Sequence, residues 1–268
     1  HPEVSLATHG DMDHLHASVD VGPVAKYVDG PFRASLEVPV ALTYTWLNNA
    51  PIAGEETDAH RARLRVEPSF TMLWKANNHF TFNANANYST NETPWAKLIT
   101  ANMMSNYHSL SRYRASLDDN HSAGASAKVS YKDMFSGLFA YLEGGWTRLW
   151  SDIAYGTTVD SLAHTIVEAA NMPNHSNTYS LTVYGRKDID WHTMQIELQA
   201  TGNWGRSEML RQEVLTTYNT TAYQLRGTLA FDIVSGYRVD YRATWQRYHS
   251  ASGNHTTAYS QWDEQGKL

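Results

Sequence analysis

From Phe32 to Trp46 every second residue is apolar: Phe32, Ala34, Leu36, Val38, Val40, Leu42, Tyr44 and Trp46. Between them stand Arg33, Ser35, Glu37, Pro39, Ala41, Thr43 and Thr45. Successive side chains of a β-strand point to opposite faces, so this spacing predicts one apolar face and one mostly polar face. The stretch is much longer than the usual ~5–6 residues of a strand, and its apolar face carries aromatics at both ends. A strand that crosses an outer membrane needs about 9–11 tilted residues, apolar toward lipid, with aromatics where lipid meets headgroup. Pro31–Trp46 has those properties together.

The alternation returns along the chain. A first strand presents Leu15, Ala17, Val19, Val21, Pro23, Ala25 and Tyr27 on one face and turns at Asp29-Gly30 into the second. A third reads Ala62, Leu64, Val66, Pro68, Phe70, Met72 and Trp74, with Arg61, Arg63, Arg65 and Glu67 opposite, and turns at Ala76-Asn77-Asn78 into a fourth, Phe80–Tyr88. A fifth (Ala123–Tyr131) turns at Lys132-Asp133 into a sixth (Leu138–Arg148), and a seventh (Thr178–Tyr184) turns at Gly185–Asp190 into an eighth. In the eighth, Met194, Ile196, Leu198, Ala200, Gly202 and Trp204 alternate with Gln195, Glu197, Gln199, Thr201 and Asn203. Ala222–Phe231 and Tyr237–Tyr248, joined through Asp232–Gly236, complete ten strands, and Ala258–Trp262 could open an eleventh. Pro23, Pro39 and Pro68 each remove a ladder donor and weaken the register where they fall.

Connections of two lengths alternate. Short turns close every other pair, whereas Leu47–His60, Ser89–Asn120, Leu149–Asn177 and Gly205–Thr221 are long and polar. Outer-membrane barrels have short periplasmic turns and longer extracellular loops. The expectation is an all-β fold: an antiparallel transmembrane β-barrel segment of about ten strands, in one partial barrel domain over residues 1–268. With ten strands both chain ends lie on the extracellular side, so the segment is expected to belong to a larger barrel.

Composition excludes several alternatives. No apolar run approaches the ~20 residues of a spanning helix, and mean hydropathy is −0.49. The 16 Tyr and 9 Trp suit β structure. With no cysteine there is no disulfide framework or thiolate chemistry. A net charge of −6 without a basic stripe argues against nucleic acid as a partner.

The paired strands of His16–Trp46, the stretch Met104-Ser105-Asn106-Tyr107-His108-Ser109-Leu110, and Ser126–Tyr131 followed by Phe135–Leu142 resemble TonB-dependent outer-membrane receptors, nearest the outer-membrane β-barrel family common in Bacteroidetes. The resemblance covers nearly the whole chain as a pattern of strands and loops. It implies a barrel of about 22 strands around an N-terminal plug in the bacterial outer membrane. The partners it implies are outer-membrane lipid, the TonB complex acting through the plug region, and a surface lipoprotein. The activity it implies is uptake of a glycan, peptide or siderophore, with no cofactor and no catalysis. Adhesion without transport and an enzyme built on the barrel wall are the alternatives.

Several residue groups are candidates for a site. His9, Asp11, Asp13, His14 and His16 offer imidazoles and carboxylates that could hold zinc, although a hydrophilic lead into the first strand explains them more simply, and no metal site is assigned. Arg61, Arg63 and Arg65 are expected to face the lumen, either attracting anions or paired with acidic neighbours. Gln195, Glu197 and Gln199, with Asn83, Asn85 and Asn87, form inward polar ladders that suit an uncharged or mixed ligand. Trp95, Tyr107, Tyr113, Trp150 and Tyr155 are candidates for a ligand-binding extracellular rim, or for loop packing and the upper aromatic girdle. No serine–histidine–aspartate spacing or phosphate loop stands out. Arginine is expected to be excluded at Leu36, Ile196 and Leu198 and tolerated at Thr43, Gln195 and Gln199.

Overall fold

Period-two patterning over so much of the chain leaves no stretch for helix, and the computed structural model contains no α-helix among its described residues. Those are residues 10–51, 57–94, 97–98, 103–106, 109–112, 117–159, 165–189, 193–211, 214–234, 237–253 and 255–267. Three long strands are each divided by a proline: β1 (Gly10–Val21) with β2 (Val24–Asp29), β3 (Phe32–Glu37) with β4 (Val40–Pro51), and β5 (Thr57–Val66) with β6 (Ser69–Lys75). After β7 (Phe80–Glu92), one connection holds the short β8 (Met103–Asn106) and β9 (Ser109–Arg112). β10 (Asp119–Asp133) and β11 (Leu138–Ser151) precede a second connection with β12 (Ala154–Val159) and β13 (Thr165–Ala170). β14 (Asn174–Ile189), β15 (Met194–Arg211), β16 (Val214–Val234), β17 (Tyr237–Ser252) and β18 (His255–Lys267) complete the order. Joining the divided pairs and setting aside the four short strands leaves eleven long strands in an antiparallel meander.

About ten long strands are present as expected, and Ala258–Trp262 falls within an eleventh, β18. β18 pairs with β17 along its length and brings Lys267 opposite Asp240, at the short-turn end, so the two ends of the described chain lie at opposite ends of the sheet. Among the described residues the first strand and β18 do not pair with each other. Within the described residues the sheet does not close on itself.

Register puts apolar residues side by side from strand to strand. One row runs Phe82, Val129, Leu142, Val183, Ala200, Leu225, Trp245, Trp262. Burial is inverted relative to a water-soluble sheet: Leu64 is 68% exposed and Leu198 63%, while Thr43 and Thr45 are 1% and 3% exposed. Hydrophobic side chains left uncovered over a whole face need an apolar solvent, and lipid supplies it. Aromatics border this face at both ends. Trp74 stacks on Phe82 and Phe80 lies against Tyr131 at the short-turn end, while Trp146, Tyr179 and Trp204 are cross-strand neighbours toward the other. Arg247 and Glu264, on the last two strands, interrupt the apolar face.

The short turns are built as their residues require. Gly30 takes φ +50°, a left-handed conformation that glycine adopts without strain. The Asn77 side chain accepts the amides of His79 and Phe80, both at 2.8 Å. Hydrogen bonds from Ser136 and from the Phe135 amide hold the Asp133 carboxyl below its ordinary range. Gly185–Asp190 is not a turn, because β14 continues to Ile189 and Gly185 lies opposite Leu198.

Two expected long loops are mostly strand. β15 and β16 extend until Arg211 faces Val214, and β4 and β5 run to Pro51 and from Thr57, so the described residues of both connections (205–211 with 214–221, and 47–51 with 57–60) are hairpin arms. These arms rise past the lipid, where both faces meet water and apolar alternation is no longer required. The 21 residues of β16 span roughly 69 Å at ~3.3 Å each, well beyond what a bilayer needs.

The three prolines form a seam. Val38 N donates to Pro23 O, Glu67 N to Pro39 O and Tyr88 N to Pro68 O, at 3.1, 3.0 and 2.9 Å. Each proline accepts from the next strand but donates nothing. Register is unchanged across the seam, since Val21 faces Val40 and Val24 faces Glu37. Above it, β1, β4 and β5 form a separate three-stranded sheet, and β5 loses its ladder to β7.

Candidate functional site

The two long connections come together over one end of the wall. β12 pairs in parallel with the extended arm of β15 (Gly156 opposite Leu210), β13 pairs antiparallel with β12, and β9 continues from β13 in parallel, Thr165 opposite Ser109. β8 and β9 of the first connection and β12 and β13 of the second therefore make one small sheet, β12-β13-β9-β8, docked on a spanning strand. Ile153, Ala154, Leu98 and Leu210, all at least nine-tenths buried, supply the apolar residues of this region. The Lys97 ammonium sits 3.7 Å from the ring centroid of Tyr155 and joins one connection to the other. The Asn174 amide lies 2.8 Å from Ile153 O, 3.2 Å from Met172 O and 3.3 Å from Ser151 O, closing the base of the second connection. Since long loops face outward in such walls, this is the extracellular end.

A second group fills the gap above the proline seam. Where β5 and β7 no longer pair, side chains replace the ladder: Glu67 accepts the Thr90 amide at 3.1 Å and the Arg65 guanidinium donates to Thr90 O at 3.0 Å. Arg61 bonds Asp118 at 3.0 Å, and Arg63 contacts Asp118 and Asp119 with only 11% of its side chain exposed. Glu92 takes a hydrogen bond from Thr45 at 2.9 Å and lies 3.1 Å from His16 Nδ1. Arg61 and Arg63 are ion-paired with Asp118 and Asp119, and Arg65 bonds a backbone carbonyl, so this group acts as a joint between the three-stranded sheet and the start of β10 rather than as an open anion site, although Arg63 Nε and Arg65 Nε stay buried without a hydrogen-bond partner.

The expected site residues fall in several places. Trp95, Tyr107 and Tyr113 lie outside the described residues. Trp150 is within β11, not in a loop, and stacks on His121 at 5.5 Å on the lipid-facing side, two rows above the Trp146–Tyr179 girdle level. Tyr155 is on β12, inside the extracellular sheet. Gln195, Glu197 and Gln199 share the polar face of β15, opposite Asp188, Arg186 and Tyr184 of β14. Gln195 donates to Glu197 at 3.0 Å. His9 lies outside the described residues, and among the described residues no three His, Asp or Glu side chains gather as a metal site. Thr43 is buried, so arginine would not be tolerated there as expected. Sequence reasoning missed Glu92, Asp118, Asp119 and Asn174, because their roles depend on register between distant strands.

An apolar outer face, polar inner face, aromatic borders and strand arms rising past the membrane on one side define the wall of a bacterial outer-membrane β-barrel. No protein-family model and no curated protein matches the sequence. Among solved structures the chain is similar to the outer membrane transporter YddB from Escherichia coli, with 10% identity and a TM-score of 0.46 over 94% of this chain and 36% of that one. It is similar to the FrpB iron transporter from Neisseria meningitidis, with 10% identity and a TM-score of 0.45 over 94% and 44%. It is also similar to OmpT, an outer membrane protein of Vibrio cholerae, with 6% identity and a TM-score of 0.36 over 96% and 99%. The chain spans less than half the length of either transporter.

Proposed function

We propose that the chain forms part of an outer-membrane transporter that takes up its ligand in a TonB-dependent manner. In this reading further strands complete a barrel of about 22 around a plug. The observation that carries it is the joining of β8, β9, β12 and β13 from the two long connections into one extracellular sheet above a polar inner face. Long connections are disproportionately functional, and here two of them share a single surface. Among the described residues the outer edges of the first strand and β18 pair with no other strand, which supports closure by other strands, because an open sheet edge cannot remain in hydrocarbon. The neutral ladder of Asn83, Asn85, Asn87, Gln195 and Gln199 suits an uncharged or mixed ligand such as a glycan or peptide, with siderophores the next class. The plug region would meet the TonB complex, and a surface lipoprotein would cover the extracellular sheet.

The test uses the full-length protein in cells and a panel of labelled glycans, peptides and siderophores. Uptake that stops without TonB, and surface binding that falls when residues 95–116 are deleted, are the expected results. Energy-independent passage, or unchanged binding by a deletion variant at normal surface density, would overturn the reading. Adhesion is the second reading. It is favoured by the arms of β15 and β16, which project far past the lipid band.

A further inference from the structure

On the lipid-facing side, immediately above the Trp146–Tyr179–Trp204 girdle, the next cross-strand row is Arg148–Asn177–Arg206. Both arginines are exposed, and neither has a carboxylate partner among the described residues. Arg148 lies over the Trp150 ring at 5.7 Å. The acidic groups nearby are Glu208, held by His175 at 2.9 Å, and Asp152, at the margin of an open groove that Trp146, Arg148, Trp150 and His175 line. One strand separates the arginines, which places their backbones about 9–10 Å apart. Two residues, or about 6.5 Å along the strand, lift them above the girdle. Aromatic girdles mark the membrane–water interface, so these guanidiniums stand at headgroup level and face outward into lipid, not inward to the lumen.

We infer that Arg148, Asn177 and Arg206 form a binding site for the phosphorylated headgroup of an outer-leaflet glycolipid. Guanidinium forks match phosphate oxygens bidentately, the Asn177 amide supplies a neutral donor between them, and the Trp150 and Trp146 rings offer apolar faces to a sugar. The charge complementarity is specific to this level. Below it the face is apolar, and above it Glu208 and Asp152 bring negative charge.

The inference rests on the outer-membrane location but not on transport. Full-length protein in phosphatidylcholine nanodiscs is titrated with bisphosphorylated lipid A, followed by tryptophan fluorescence and native mass spectrometry. Each arginine is expected to contribute about tenfold in affinity as a charged hydrogen-bond donor. R148Q/R206Q should therefore bind far more weakly, R148K/R206K should keep part of the affinity, and R238Q, on the opposite face, should bind as the parent does. Circular dichroism checks that each variant is folded. Unchanged affinity in R148Q/R206Q, or full displacement of lipid A by inorganic phosphate, would overturn the site. Fractionation of cells reports location separately, so a protein absent from the outer membrane would refute the location without altering the titration.

Discussion

Leu142→Arg tests the face assignment most directly. Leu142 is central in the outward run of β11, Leu138, Ala140, Leu142, Gly144 and Trp146, and it lies between Val129 and Val183. It is 47% exposed although no water is expected there, so an arginine would point into hydrocarbon. The girdle at Trp146 is four residues away, roughly 13 Å along the strand, too far for the guanidinium to reach fully. An arginine at the lipid-facing midplane of a barrel costs about 2–4 kcal/mol, against about 0–1 near the interfaces. At about 1.4 kcal/mol per factor of ten, the folded-to-unfolded ratio should fall roughly 30- to 1000-fold. The matched control is Gln195→Arg, on the polar face, with Asp188 across the strand pair and Glu197 already hydrogen-bonded to residue 195. Outer-membrane yield and urea unfolding of vesicle-reconstituted protein, followed by tryptophan fluorescence, measure both variants. Equal loss, or equal tolerance, would refute the lipid-facing assignment.

Thr43→Arg should destabilise by about 1–3 kcal/mol or more through overpacking, whereas Thr43→Val should gain about 1 kcal/mol because the buried hydroxyl has no hydrogen-bond partner; urea midpoints decide. Asp119→Asn should destabilise by less than the about 3–5 kcal/mol of a fully unpaired buried charge, because Asp118 remains 3.6 Å from Arg63, and adding Arg63→Met should restore most of the loss, as a double-mutant cycle would show. Gly156→Ala should detach the extracellular sheet, since its Cβ would clash with the Leu210 backbone; faster limited proteolysis between β12 and β13 without loss of the spanning sheet is the expected signature.

The spanning part of the wall was legible because lipid imposes a simple rule, that outward residues between the girdles are apolar, with Arg247 and Glu264 the exceptions. Met194 to Trp204 obeys it, and so does the row through Leu142 and Leu225. The rule stops at the headgroups. Arg206, Glu208, Thr217 and Asn219 are as much in strands as Leu198 is, yet their polar side chains look like loop in the sequence. Gly185 misled in the opposite direction, because its absent side chain suggested a turn where Leu198 crosses the neighbouring strand. The prolines weakened confidence in register, but the carbonyl of each still accepts from its neighbour and the pairing passes through unchanged.

Charge partners were hidden for a different reason. Nothing local to Arg61, Arg63 and Arg65 identifies Asp118 and Asp119, which arrive only when the chain returns to begin β10. Their pairing removes a basic wall from the candidates for ligand attraction and makes it the joint that holds the three-stranded sheet where the β5–β7 ladder is absent. The same reasoning separates Arg148 and Arg206 from that row. They share a cross-strand level with Asn177, face the bilayer, and have no carboxylate partner among the described residues. A charge turned toward lipid without a protein partner is costly unless something in the membrane answers it. At headgroup level a phosphate answers it, and this physical requirement makes the outer face, as well as the lumen, a place to look for function.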